Sequence, residues 1–389
     1  MIRGGWRWRG TVALTGVALA FVIYPLTEPG ADVINSDWPA FATGAKLAVT
    51  DPGHLYDLDV QRRVQLDVTG GRELVTTGIH GILPFLAPAW VALVAVPFEL
   101  LGTELGGRLW ILFGLACLGL GLWLATRPRP PSSRGPRELQ AQPPSSWGQA
   151  VLPAFAGVPT ALVMLNAQLD GIVALGIGAA IALWSRPFLA GLALGLTLMK
   201  PQLVLPVGLA LIVVRRWRMV AGWVAAGVAL WASFAVLNPR WVLDWLGPIG
   251  TTVQPVSREV DLPHLATALP AFQVYGVAIL TVATVVAVVA TAARRRDDFR
   301  SAAAVVIAGG VLAAPHALPA DLVLVAVALA VWGRAAWYDW LLLSIAALVA
   351  ALTPAPVPAL VAVPVMVWVL VRSVWFSEPL PAREPASPR

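Results

Sequence analysis

Asp37, Asn166, Gln168, Lys200, His316 and Asp321 are polar residues set at the ends of apolar runs or between them. An ionisable group at membrane depth costs about 2.5–3.5 kcal/mol on insertion scales, so each such position is a functional candidate by default. An aspartate at a membrane surface suits general-base work on a hydroxyl. A lysine held at a helix break suits an anion, a phosphate above all. Asn166 and Gln168 offer hydrogen bonds to a sugar or a diphosphate, and equally to backbone groups freed by a break. His316 and Asp321 are separated by Pro319 and need not share a helix face; together they would orient a sugar or pair with Lys200. Four interruptions after four apolar runs point to one polar cavity, opening on the side that holds Asp37.

Each of these residues also has a plainer reading. Ser36-Asp37 before Trp38-Pro39 is good capping sequence for a helix beginning near Pro39. Lys200 fits a snorkelling lysine at a helix end. It is nonetheless one of two lysines among 27 basic residues, the other being Lys46. Asp57-Leu58-Asp59 has the form of a metal-binding carboxylate pair, but no nucleotide-binding domain surrounds it, and no metal site is expected. The four histidines show no ligand spacing, and no cofactor is expected.

The elements that must position these residues are helical and apolar. The chain has 389 residues, 58% hydrophobic and 12% charged, against about a quarter charged in a soluble protein. Apolar runs recur from Thr11 to Phe376, so the expectation is an all-α polytopic integral membrane protein with about 11–13 transmembrane or broken helices. The net charge of +6 sits in short basic clusters beside the runs, Arg3/Arg7/Arg9, Arg215/Arg216/Arg218 and Arg294/Arg295/Arg296. That is a positive-inside pattern with lipid headgroups as partner and excludes nucleic acid as the reading.

Residues 1–376 read as one transmembrane domain, followed by a disordered tail at 377–389. The first extracytoplasmic loop spans 28–80 and carries two short interfacial helices joined by the turn Asp51-Pro52-Gly53-His54. A flexible Pro/Ser/Arg loop spans 127–148, and a second extracytoplasmic loop spans 238–270. If the runs at 82–100 and 108–126 both crossed, the Arg-bearing loop would fall outside, so one run is re-entrant or the loop is an exception. His80 borders the first loop as a weaker candidate. The longest polar segment holds about 50 residues, whereas a nucleotide-binding domain needs 100 or more. A transferase built this way would draw on a lipid-linked donor.

Several segments resemble one known family in order along the chain. Ser36-Asp37-Trp38-Pro39 through Leu55-Tyr56-Asp57 resembles its opening motif, and Pro84 to Pro88 with Val96-Pro97-Phe98-Glu99-Leu100-Leu101 resembles its hairpin. Asn166-Ala167-Gln168 is loosely similar to its polar vertex. Ala190 to Lys200-Pro201, continuing to Arg215-Arg216-Trp217, is the closest match, and Pro315-His316 to Asp321 resembles a late motif. The family is glycosyltransferase family 87 of the GT-C superfamily, which includes polyprenol-phosphate-mannose-dependent mannosyltransferases. The resemblance implies a GT-C-type fold and an inverting transfer of a sugar, mannose being the expected one. The implied partners are a polyprenyl-phosphate donor and a glycolipid or glycan acceptor at the outer face of the plasma membrane. It places Asp37 as the catalytic aspartate and Lys200 and His316 near the donor phosphate. Asn166, Gln168, Asp321, His80 and Tyr56 then fall among the substrate-binding residues. A lipid or glycolipid flippase, which also wants a polar cavity with a cation, is the alternative from another class.

Overall fold

The computed structural model describes residues 2–76, 79–127, 147–252, 258–268 and 273–375. The loop expected at 127–148, apart from its ends, and the tail at 377–389 lie outside the described residues, as does the side chain of His80. The protein is an all-α polytopic membrane protein.

A helix of 26 residues, α1 (Ile2–Thr27), opens the chain, and its last turns carry Pro25. A short α2 (Gly30–Ile34) leads to α3 (Trp38–Thr50), then a 3-10 turn at Pro52–His54 and α4 (Leu58–Val68). The two expected loop helices are therefore α3 and α4, joined at the expected turn. Asp57 caps α4, its side chain accepting the backbone N–H groups of Asp59 and Val60, so this carboxylate serves the helix start. A two-stranded hairpin follows, β1 (Leu74–Thr76) with β2 (Ile79–Gly81), His80 lying opposite Val75.

The surface of α4 that turns inward is polar, and for a definite reason. Gln61 and Gln65 are buried, and each amide pairs with the extended segment after β2. The Phe85 N–H donates to Gln61 Oε1 at 2.8 Å while Gln61 Nε2 donates to the Leu55 and Phe85 carbonyls. Gln65 repeats the exchange with Leu83. Two side chains thus satisfy a stretch of backbone that has no neighbouring strand.

Next come α5 (Ala89–Glu99) and α6 (Thr103–Thr126). At 11 residues α5 is about 16 Å long, half of a hydrocarbon core of ~30 Å. It packs on α3 and turns back into α6, which at 24 residues is long enough to cross. The re-entrant member of the pair expected at 82–126 is thus α5.

The remaining chain forms α7 (Trp147–Phe155), α8 (Val158–Leu165), α9 (Asp170–Ala182), α10 (Pro187–Leu194), α11 (Leu205–Val213), α12 (Trp217–Ala235) and α13 (Trp241–Thr252). It ends in α14 (Gln273–Arg294), α15 (Phe299–Ala313), α16 (Leu322–Trp332), α17 (Trp337–Leu352) and α18 (Val357–Trp375). Among the described residues five helices are long and apolar enough to cross a membrane: α1, α6, α12, α14 and α18. Shorter apolar helices meet at breaks. α8 and α9 meet at residues 166–169, where Ala167 takes a left-handed backbone (φ +52°). α10 tightens into 3-10 turns at Gly195–Met199 and Pro201–Leu203 on either side of Lys200 before α11 starts.

Every residue of α16 is buried, which is what a helix apolar on all sides requires. It is the axis of the fold, packed by α6, α7, α8, α9, α15, α17 and α18. Against it lies the tight pair α6/α9. A Cβ on Gly171 would stand 2.0 Å from the Gly114 carbonyl oxygen, and one on Gly178 would stand 2.0 Å from that of Gly121. Small residues one heptad apart on both helices let the backbones touch, the usual device where lipid removes any hydrophobic drive between helices. Gly178→Leu should therefore separate the pair and lower stability by about 1–3 kcal/mol, the ordinary cost of overpacking. The check is the thermal midpoint in detergent, which should fall by several degrees without loss of helical signal.

Candidate active site

The helix breaks converge. Asp37 stands between α2 and α3, and its carboxylate is not used to cap α3. That duty goes to Ser36, whose Oγ accepts the Trp38 N–H at 3.2 Å and donates to the Val33 carbonyl at 2.7 Å. Freed of the cap, Asp37 turns to the α8/α9 break: its N–H donates to the Asn166 carbonyl (3.3 Å), and its Oδ2 accepts a hydrogen bond from Gln168 Nε2. The aromatic set around this approach holds it in place. Trp38 Nε1 donates to the Thr103 carbonyl at 2.7 Å, Trp110 Nε1 donates to the Ala167 carbonyl at 2.9 Å, and the two rings lie 5.7 Å apart.

Behind Gln168 is Lys200. Its ammonium donates to Gln168 Oε1 at 2.8 Å, to Asp170 Oδ2 at 2.8 Å and to Asp321 Oδ1 at 2.5 Å. All three protons of the ammonium are thus taken by protein acceptors. Lysine has no acceptor, so the Gln168 amide must turn its oxygen to Lys200 and its NH2 to Asp37. Asp321 is anchored from the other side, its Oδ2 accepting the Leu318 N–H at 2.6 Å. Asp170 is fully buried and Asp321 nearly so (0% and 2% exposed), and Gln168 and Lys200 are also buried. Asp37 is half-buried and Asn166 is exposed, so the chain of contacts runs from the interior to an open mouth.

The carboxyl of Asp37 lies outside the spanning helices. Burial pushes it up to about 7, against the opposing pull of the Lys200 charge, with Asp321 adding to the rise. That value suits a base operating near neutrality.

His316 takes a different place. It is half-exposed, with Nδ1 3.5 Å from Glu259 Oε1. The same Glu259 oxygen lies 3.8 Å from His264 Nε2, and His264 Nδ1 is 2.8 Å from Asp261 Oδ1. The second loop is fastened to this turn: the Val260 N–H donates to the Ala317 carbonyl (2.8 Å), and the Ala317 N–H donates to Asp261 Oδ2 (2.9 Å). His316 and Asp321, five residues apart, thus belong to one turn, but Asp321 faces Lys200 and His316 faces Glu259.

Tyr56 is not part of this group. Its hydroxyl donates to the Ala87 carbonyl at 2.8 Å and its ring stacks on Phe85, which commits the side chain to holding the first loop together. Asn166 contributes its backbone carbonyl to Asp37. Lys200, expected to meet a phosphate, is paired with Asp170 and Asp321, the second of which the sequence offered as a partner for it. Asp170 is the member that sequence reasoning missed. It sits at the first position of an apolar helix, where an aspartate reads as a helix start. Its spacing of two from Gln168 was the available signal.

The turns at the other ends of these helices are basic and also meet one another. Arg216 lies over the Trp184 ring (5.0 Å), Trp184 packs on Phe299 (4.3 Å), and Arg300 donates to the Val331 carbonyl (3.3 Å). The polar side chains of the helix breaks thus gather at one end of the bundle, and these arginine-bearing turns lie at the opposite end.

Among known protein families, residues 85–319 match glycosyltransferase family 87. The match covers more than half of the chain. The chain belongs to this family. It is a membrane glycosyltransferase, with a sugar donor and an acceptor as its substrates. No curated protein and no solved structure matches the chain. Within this glycosyltransferase the matched stretch carries Asn166, Gln168, Asp170, Lys200 and His316, whereas Asp37 lies before it and Asp321 just after it. Hydrogen bonds, not the family match, bring Asp37 into the site.

Replacing Lys200 by Met would leave Asp170 and Asp321 buried without a counter-ion. The expected loss is about 3–5 kcal/mol of stability, the cost of removing one partner from a buried pair. A clear drop in thermal midpoint for Lys200→Met, well beyond that for Lys46→Met on the surface, is the measurement that checks it.

Proposed function

We propose that this glycosyltransferase moves a sugar, mannose by preference, from a polyprenyl-phosphate donor to a hydroxyl of a glycolipid or glycan acceptor. The observation that carries the reading is Asp37: an aspartate released from capping, half-exposed at the mouth and held by Gln168 with its proton affinity raised to about 7. In the transfer the acceptor oxygen attacks the anomeric carbon, and the bond from that carbon to the phosphate oxygen breaks. The acceptor proton passes to Asp37, and the polyprenyl phosphate leaves with the electron pair. A single displacement inverts the anomeric centre. His316, half-exposed on the neighbouring turn, is the residue offered to the donor phosphate, backed by Glu259. Lys200 acts through Gln168, because its own protons are occupied. The exposed Asn166 and, on the β2 strand, His80 remain offered to the sugar or acceptor.

The lipid-linked donor is supported by the absence, among the described residues, of a compact α/β nucleotide-binding unit, and by the short broken helices from which the site is built. Its orientation follows from charge. The basic turns at the end opposite Asp37 favour the cytoplasm by the positive-inside rule, and this supports the reading of a site on the extracytoplasmic side of the plasma membrane.

The test uses purified protein in nanodiscs with radiolabelled polyprenyl-phosphate-mannose and a lipid extract of the host. Wild type should form a new labelled lipid, and Asp37→Asn should lose this by a factor of 100 or more, roughly the share of general-base catalysis with its hydrogen bond. Retention of near-normal turnover in Asp37→Asn rules out the base assignment.

The pH dependence has a definite sign. Asp37 works ionised, so transfer should be low below pH ~6, rise through about 7 and level off above ~8. A profile that is flat from acid to neutral pH contradicts it.

A further inference from the structure

Lys200 lies between two 3-10 turns, outside any regular helix. Its backbone N–H bonds to the Thr197 carbonyl at 3.1 Å, but no helical ladder fixes the direction of a long, flexible side chain. The direction comes from the ammonium's partners. Of these, Gln168 is neutral and Asp321 lies on a separate turn with one oxygen already tied to Leu318. Asp170 is the rigid one. It has no exposed surface, it begins α9, and its neighbour Gly171 touches the α6 backbone at Gly114.

We propose that Asp170 is a positioning residue for transfer: it holds the Lys200 ammonium so that Lys200 orients the Gln168 amide and Gln168 holds the Asp37 carboxylate toward the acceptor. This rests on the reading of Asp37 as the base. The ammonium gives one proton to each of three acceptors, and removing one lets it swing toward Asp321. The amide then loses the partner that sets its orientation, and Asp37 loses a fixed donor. Displacements of about 1 Å at a reacting group cost up to a hundredfold in rate.

Charge acts in the same sense. Asp170 shares the Lys200 ammonium with Gln168 and offsets part of the ammonium's attraction for Asp37. Without it Lys200 acts on Asp37 less opposed, and Asp37 becomes a weaker base. The charged groups acting on Asp37 are Lys200 and Asp321, with Asp170 on the same ammonium. The helices packed on α3 bring groups paired elsewhere, Glu104 with Arg108 on α6 and Asp67 with Lys46 and Arg62 with Glu73 at α4, while α5 ends in Glu99.

The experiment compares wild type, Asp170→Asn and Asp37→Asn in nanodiscs by two readouts. One is kcat and donor KM against pH. The other is infrared titration of the Asp37 carboxyl, taken as the difference from Asp37→Asn, which needs no substrate. Asp170→Asn should lower kcat by about ten- to a hundredfold with donor KM within about twofold, and move both the acidic limb and the carboxyl midpoint about one pH unit down. Lower kcat with an unmoved limb and midpoint means a merely structural residue and overturns the proposal, as does wild-type kinetics. Turnover retained in Asp37→Asn removes the base reading and this proposal with it. Turnover lost there, with an unmoved midpoint in Asp170→Asn, removes the proposal alone. If Asp170→Asn does not fold, Gln168→Leu cuts the same relay at its middle. It should lose turnover to a similar degree, and wild-type turnover in it overturns the proposal.

Discussion

One buried ammonium holds the site together. Lys200 is bonded to an amide on one helix break, an aspartate opening α9 and an aspartate on the turn before α16, so a single side chain ties three interruptions to one point. Desolvating a cation and two carboxylates is expensive, and their mutual attraction repays it only when geometry is good and the remaining lone pairs are satisfied. The Leu318 N–H on Asp321 supplies part of this, and the close Gly171/Gly114 contact fixes the backbone beside Asp170, whose second carboxyl oxygen is buried without a hydrogen-bond partner. The hub also explains why these helices stop where they do. Breaks in a bilayer must meet polar partners, and here they meet each other.

The first loop depends on the same principle at lower stakes. Its extended segment runs without a neighbouring strand, and the amides of Gln61 and Gln65 stand in for one. Tyr56 and Phe85 close the arrangement, and the second loop docks on it through Asn238, which donates to the Pro52 carbonyl at 3.3 Å, and Trp245, which donates to the Leu86 carbonyl at 2.8 Å. Asp37 is therefore presented by a structured platform that is tied to the helix bundle at Asn166 and Gln168. An aspartate on a flexible loop would have to be ordered anew in each cycle; the one proposed as base is held beforehand.

The division of charge across the bundle gives the fold its polarity. The polar side chains of the helix breaks collect at the end with Asp37, whereas Arg186, Arg216, Arg300 and Arg334 lie in or beside the turns at the other. The re-entrant α5 leaves α6 as the helix of this stretch that is long enough to cross. Length decides it: 11 residues cannot span the hydrocarbon core.

The sequence by itself determined the class of protein, the places where helices break and most of the polar residues at those breaks, because apolar runs and the cost of charge in a membrane are local properties. It also carried the family resemblance, later matched over residues 85–319. It did not determine which polar residues meet. Asp37 read equally as a cap, and the tertiary structure decided against that by giving the cap to Ser36. Tyr56 read as a site residue and became a strut. His316 and Asp321 read as acting together on a sugar or on Lys200, and a short proline-containing turn sent them to different partners. Asp170 read as nothing at all. An aspartate at a helix start looks alike whether it faces solvent or a buried lysine 30 residues away, and only the packing of α6, α9 and α16 tells the two apart.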